Sequence, residues 1–502
     1  MKSTPLIVLI PVLGVFMASF SRQLDAQPAP EWPQFRGPGG SAQGTGTPPV
    51  EFGPERNVLW KTPLPPGHSS PIIAGNRIFL TAFNRPALET LCLDRASGRI
   101  LWRRAAPACQ IEKHHRTNNP AASTPCTDGR RVFSYFGSFG LLAYDFEGNE
   151  LWRVPLPTPK LEFGTGTSPI CVRGKVILCV DQDSDSFLLA LDAATGRQLW
   201  KVDRSEYRRS WSTPFVWTHD RGEELIILGA AVLTSYALDN GAMNWTVEGT
   251  AMMTCTTPAS GGGLLFAASM VTGDGGRHEE TDAPPKQRRQ GPAFSWYLQR
   301  YDRDNDGRLS QAEGGALGYA FRFDPLDLNK DGFITAAEFE KLGSIRARSE
   351  NSVFAVRPGG RGEVTATHVV WKGTQGVPYV PSPLYYDGHL YLVKTGGMLN
   401  CLDAKTGTPR YPQVRLKAGG DYYASPVAAD GRIYVASVPG IVTAFRAGPA
   451  FELLATNKFD DRIFRTPAIV AGVIYLRTEH ALYAFGNRNQ PNQTRTAKES
   501  KP

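Results

Sequence analysis

The sequence predicts an all-β fold, an eight-bladed β-propeller of four-stranded antiparallel blades, and three observations lead there. A strand, a tight turn and a second strand recur five times: LCLDRASGRILW to Trp102, LAYDFEGNELW to Trp152, LALDAATGRQLW to Trp200, YALDNGAMNW to Trp245 and CLDAKTGTPRY to Tyr411. Ser or Thr followed by Pro opens a strand eight times, at Pro71, Pro125, Pro169, Pro214, Pro258, Pro383, Pro426 and Pro467. These prolines lie 41 to 54 residues apart, except for one gap of 125, and a period of about 40–50 residues with four strands each marks a propeller. Each period also holds a hairpin turn centred on glycine, as at Ala74-Gly75-Asn76 and Asp430-Gly431-Arg432.

Strands such as RIFLTAF and KVILCVD are apolar on both faces, so each blade must lie between two neighbours, and a closed ring supplies them. The last copy, TPAIVAGVIYLRTEHALYAFG, provides three strands and ends at Gly486 without a terminal Trp. NVLWKTPLP around Trp60 is a terminal strand with no blade before it. It is predicted to complete the eighth blade, leaving no open seam.

In chain order, residues 1–26 read as a signal peptide: Lys2 precedes an apolar run from Leu6 to Phe20, and Leu24-Asp25-Ala26 offers a small residue for cleavage. No transmembrane segment is expected once it is removed, and the localisation is periplasmic or secreted. Residues 27–55, with WPQFRGPGG, form an extended lead-in draped on the ring. Blades one to five begin within residues 56–271. The loop from Pro107 to Ala122 carries His114, His115, Arg116, Asn118 and Asn119 and is expected to face solvent. Adjacent histidines point to opposite sides of an extended chain, which is poor metal geometry.

The long gap falls in blade five. Residues 272–292 lack apolar periodicity and read as a flexible linker. Residues 293–349 hold two twelve-residue calcium loops of the EF-hand pattern, DRDNDGRLSQAE from Asp302 and DLNKDGFITAAE from Asp327. The pattern needs short oxygen ligands at positions 1, 3 and 5, a backbone carbonyl at position 7 and a two-oxygen Glu at position 12. Asp302, Asp304, Asp306, Arg308 and Glu313 fill these places in the first loop; Asp327, Asn329, Asp331, Phe333 and Glu338 fill them in the second. Arg308 and Phe333 serve through their carbonyls. Gly307 and Gly332 allow the sharp turn, and Leu309 and Ile334 are placed to pair as a short bridge. Pro325 limits the helix entering the second loop. Residues 350–486 complete blade five and supply blades six to eight, and 487–502 form a polar tail expected to be disordered.

Of 502 residues, 41% are hydrophobic and 20% charged, enough for a large core. The net charge of +8 is scattered and no nucleic-acid motif appears, so a nucleic-acid partner is excluded. Seven cysteines in an exported chain permit disulfides. Cys92 and Cys401 occupy equivalent core positions, whereas Cys109 and Cys126 flank the polar loop and are placed to pair.

LDRASGRILW, LDAATGRQLW and LDAKTG resemble the repeats of the pyrroloquinoline quinone (PQQ) β-propellers. The resemblance covers residues 56 to 486 apart from the insert, and WPQFRGP with the EF-hand pair looks like the exported bacterial type. It implies either a cofactor-free envelope scaffold or a quinone-dependent alcohol or sugar dehydrogenase. The dehydrogenases of the family use a disulfide between adjacent cysteines, a Trp under the quinone, a calcium on the cofactor and an Asp base. This chain has no adjacent cysteines and no CxxCH haem site, and its EF-hand loops lie in an insert. Trp211 and Trp217 are the candidates to stack on a planar ligand. The expectation is therefore a calcium-binding scaffold, with two EF-hand calcium sites, no catalytic residues and an envelope protein or polysaccharide as partner. PQQ is possible as a cofactor but is not supported by site residues, and a PQQ-dependent dehydrogenase is the alternative.

Overall fold

The structure is a computed structural model that describes residues 31–271, 292–314 and 323–487. The signal segment 1–26, the linker before Pro292 and the tail beyond Asn487 lie outside the described residues.

The described residues form eight antiparallel four-stranded blades in chain order, and the outer strand of blade four, Met243–Glu248, takes an added parallel partner in Gly362–Glu363. Blade one is Ile72–Ala74, Arg77–Asn84, Ala87–Asp94 and Ile100–Ala105, and the other blades follow the same order from axis to rim. The innermost strands of successive blades approach one another, while the outermost alternate buried and exposed residues. In each blade the second and third strands are buried on both faces, as in Lys175–Val180 and Phe187–Asp192. The ring closes as predicted: Val58–Pro63 pairs with Ala481–Phe485, setting Trp60 opposite Ala484.

The repeated residues now have physical roles. The Ser or Thr hydroxyl before each proline accepts the backbone N–H of its counterpart in the preceding blade, at 2.9 to 3.3 Å. Seven seams are bonded in this way, making a belt around the axis. Among the described residues the eighth link, across the closing seam, is absent. There Arg477 reaches from blade eight to the carbonyls of Pro65, Ser69 and Thr81, and Arg465 donates to Gly67.

Each strand-turn-strand unit docks on the blade before it. The indole N–H groups of Trp60, Trp102, Trp152 and Trp371 donate to turn carbonyls of the next blade at 2.9 to 3.1 Å. Their rings lie against the turn glycines Gly98, Gly148, Gly196 and Gly407, all at positive φ. A side chain there would collide with the indole. The Asp that opens the turn binds it together: Asp192 accepts from the N–H groups of Ala194 and Thr195 and from the Thr195 hydroxyl.

Three expectations change. The lead-in lies on the ring but is not simply extended. Trp32 bridges to Ile73 in blade one, and Arg36 donates to Thr257, Pro258 and Pro383 in blades five and six. Gln43 then bridges to Ala428 in blade seven, so the segment crosses the axis on the face of the first-to-second-strand turns. Positive φ at Arg36, Gly37, Gly39 and Gly40 folds WPQFRGPGG tightly enough to enter the ring, with Trp32 against Gly37.

Second, the outer strand of blade six is only Val414–Arg415, and Tyr411 lies outside it. Pro409 and Pro412 have no N–H to give to a ladder there. Third, all seven cysteines are free thiols. Cys109 packs into the seam of blades one and two, and Cys126 into the seam of blades two and three, on opposite faces of blade two.

Candidate functional site

Antiparallel connectivity places the blade-to-blade loops and the second-to-third-strand turns on one face, here called upper. The lead-in fills the opposite face. The upper face carries both irregular additions: the loop after blade one, and the insert between Leu264–Ser269 and Ser352–Val356 of blade five.

The insert comprises α1 (Phe294–Tyr301), α2 (Gln311–Gly314), α3 (Phe323–Leu326) and α4 (Ala336–Arg348). Between α1 and α2, and between α3 and α4, lie the two twelve-residue loops. Leu309 pairs with Ile334 and Ser310 with Phe333, and Leu309 and Ile334 are fully buried with Phe294. The bridge expected from the sequence is therefore formed.

Both loops are wound alike. The Gly307 and Gly332 N–H groups donate to one carboxylate oxygen of Asp302 and Asp327, each at 3.0 Å. Arg308 N–H donates to Asp306, and Phe333 N–H to Asp331. Glu313 takes the N–H groups of Arg303 and Ser310, and Glu338 those of Leu328 and Thr335, all at 2.8 Å. The Ser310 hydroxyl and these N–H donors hold the Glu313 carboxyl down at about 2. Glu338 also forms a capping box with Thr335, so the final loop residue fixes the start of α4.

These residues fit a hard divalent cation. One ligand oxygen from each of Asp302, Asp304 and Asp306 lies within 4.8 Å of the other two. The second carboxylate oxygens of Asp302 and Asp327 are buried without any hydrogen-bond partner, an arrangement that costs stability unless a cation takes them up. Asp304 and Asp306 are brought together with Asp302, and Asn329 and Asp331 bond each other at 2.9 Å.

The loop after blade one does not simply face solvent. Asn118 donates to Phe163 and Thr165, and His114 bonds the carbonyl of Glu112. Glu112 is 3% exposed, and burial pushes its carboxyl up to about 7 although Thr165 donates to it twice. One glutamate in an irregular loop carries no sequence signal, and sequence reasoning passed it over. Around the axis on this face, His68 stacks on Phe464 with centroids 4.6 Å apart, and Tyr423 lies 5.9 Å from Phe464. Trp211 donates to Gly164 and meets Phe163 edge-on, while Trp217 is 1% exposed against Trp245. Trp217 is thus committed to packing, whereas Trp211 is half-buried beside Phe163.

The family profile described as "outer membrane protein assembly factor BamB" matches residues 87–274 and 297–447, most of the chain. The chain belongs to this family. It is a PQQ-repeat β-propeller, and solved structures share the fold at low identity. BamB from Moraxella catarrhalis is 12% identical, with a TM-score of 0.52 over 86% of this chain and 98% of that one. The quinohemoprotein alcohol dehydrogenase ADHIIG from Pseudomonas putida is also 12% identical, with a TM-score of 0.51 over 95% and 82%. That from Comamonas testosteroni is 11% identical, with a TM-score of 0.52 over 92% and 82%. No curated protein matches the chain. Among the described residues no helix is long and apolar enough to cross a membrane.

Proposed function

We propose that this family member is an exported, non-catalytic scaffold that binds two calcium ions in its insert and presents its upper face to an envelope protein or a polysaccharide. The observation that carries the calcium reading is the pair of partnerless first-position oxygens, on Asp302 and Asp327, at the centre of two identically wound loops. Asp302, Asp304, Asp306 and Glu313 would hold one ion with the Arg308 carbonyl; Asp327, Asn329, Asp331 and Glu338 would hold the other with that of Phe333. Calcium supplies charge neutralisation there and no chemistry.

The scaffold reading is supported by the family's description as an assembly factor. Arg36, fully buried on carbonyls of blades five and six, occupies the ring from below. Calorimetric titration of the full chain with calcium tests the first part; two sites with affinity of roughly 10⁻⁴ to 10⁻³ M are expected for an exported module. Absence of heat, together with an unchanged proteolysis pattern of residues 293–349, would refute it. Incubation with PQQ, calcium and alcohols or sugars separates the scaffold from a dehydrogenase, with no dye reduction expected. A capture experiment against envelope proteins and polysaccharides then tests for the partner.

A further inference from the structure

We propose that the second calcium loop is a latch: calcium bound there holds the insert down on the upper face across blades three and four, so that metal occupancy sets the shape this face offers. This inference rests on the calcium reading above. Only the second half of the insert is seated on the propeller by the contacts described. Ile345 of α4 is 3% exposed and packs on Ala230, Ala231 and Val232, in the second-to-third-strand turn of blade four, with Tyr207 beside them. Lys341, one turn earlier, donates to the carbonyl of Ser205 at 3.0 Å. At the end of α4 Arg348 pairs with Glu248 at 3.6 Å, and just past it Glu350 N–H donates to the Thr250 carbonyl.

The loop itself touches the ring as well. Lys330, at its fourth position and held at φ 62°, lies 4.0 Å from Asp183 in blade three. Asp183 is 7% exposed and takes Arg208 at 2.8 Å and Arg209 at 2.5 Å, so this contact is part of a buried charge cluster rather than a solvated pair. Every one of these seats depends on where α4 starts and points. Glu338 fixes that start, since one of its oxygens takes Leu328 and Asn329 N–H from the loop and the other caps α4 through Thr335. Without the ion, Asp327, Asp331 and Glu338 repel one another, and the loop opens at the point where α4 begins. With it, loop and helix move as one body, and Ile345 is returned to its seat. The first loop joins this unit by the Leu309–Ile334 bridge.

Hydrogen exchange of the full chain, with calcium and with a chelator, reads the latch at places that hold no calcium ligand: backbone amides of residues 204–210 and 228–234. We expect these amides to exchange at least tenfold more slowly with calcium. Ile345→Ala should keep the calorimetric heat of calcium binding, which also shows that the insert is folded, and lose the protection. Glu338→Gln should weaken calcium binding and lose the protection with it. Calcium heat in the wild type with no change, or faster exchange, at 204–210 and 228–234 overturns the latch and leaves the calcium sites standing. No heat and no change removes both.

Discussion

Replacing Gly98 by Ala, with Gly75→Ala as its control, tests whether the ring is closed through docking of the first blade on Trp60. Both glycines have positive φ, 72° and 54°, so each alanine carries a left-handed penalty of about 1–2 kcal/mol. Their surroundings differ. A Cβ on Gly98 would lie 2.4 Å from the Trp60 ring and 2.7 Å from the Thr62 hydroxyl, whereas one on Gly75 meets nothing within 4 Å. Forcing a methyl into a filled contact costs about 1–3 kcal/mol. Displacing Trp60 also weakens its bond to the Arg95 carbonyl, and Thr62 loses its bond to Gly98; together these are worth about 1–2 kcal/mol. The expected losses are roughly 5 kcal/mol for Gly98→Ala and roughly 1.5 kcal/mol for Gly75→Ala. Urea unfolding followed by tryptophan emission measures both, the midpoints being comparable where the slope is unchanged. Equal midpoints for the two variants would refute the docking argument, because strain alone is common to both.

Thr213→Val removes the hydroxyl that takes Ser168 N–H at 3.2 Å and leaves a buried donor unpaired, so a loss of about 1–3 kcal/mol is expected, whereas Thr213→Ser keeps the bond and most of the stability. Arg477→Met strips donors from the buried carbonyls of Pro65, Ser69 and Thr81; limited proteolysis should then cut between residues 55 and 70 before any other propeller segment. Hydroxyls of Ser97 and Thr195 lower the pKa of Asp94 and Asp192, so these turns contribute stability that is complete above the ordinary Asp value of about 3.9 and is lost as pH falls through the lowered ones. The melting temperature should therefore be unaffected by these two groups at neutral pH and fall with acid below about pH 4, and Asp192→Asn should make that fall shallower.

Much of the fold was legible because the repeat is written in residues whose physical jobs are strict. A turn that must pass beneath an indole requires Gly98 or Gly196, and a hydroxyl that must bond the neighbouring blade requires Thr213 or Ser168. The orphan strand at Trp60 and the truncated last copy together announced the closure. The winding of the two twelve-residue loops was legible for a similar reason, since positions 1, 3, 5, 6 and 12 of the pattern admit few residue types. Other features depend on contacts between residues far apart in the chain, which leave no local pattern. Arg36 meets carbonyls more than 200 residues away. Asp183 joins Arg208, Arg209 and Lys330 through a cluster that no spacing announces. The short outer strand of blade six was misjudged because the repeat was followed through Tyr411, although Pro409 and Pro412 bring no N–H to a ladder and Pro409 makes an isolated bridge to Leu402.

The two ends of the ring therefore have different capacities. Below, Trp32 to Gln43 crosses from blade one to blade seven and spends its polar groups on the inner strands; a ligand would have to displace a segment whose arginine is wholly buried. Above, the loop after blade one and the insert of blade five stand on the same side, but they attach differently. The loop is tied to its neighbour through Asn118 and the twice-bonded Glu112, whereas among the described residues the insert meets the ring through Ile345 of α4, the Glu350–Thr250 backbone bond and charged contacts of Lys330, Lys341 and Arg348. On the latch proposal, the insert is the part of this face whose position calcium alters. If a partner reads the upper face, its affinity should depend on calcium when its footprint includes blades three and four, and be indifferent when it lies across blades seven and eight. Measuring one captured partner with calcium and with chelator, against wild type and Ile345→Ala, would locate the footprint; calcium dependence that survives Ile345→Ala would mean the partner touches the metal loops directly.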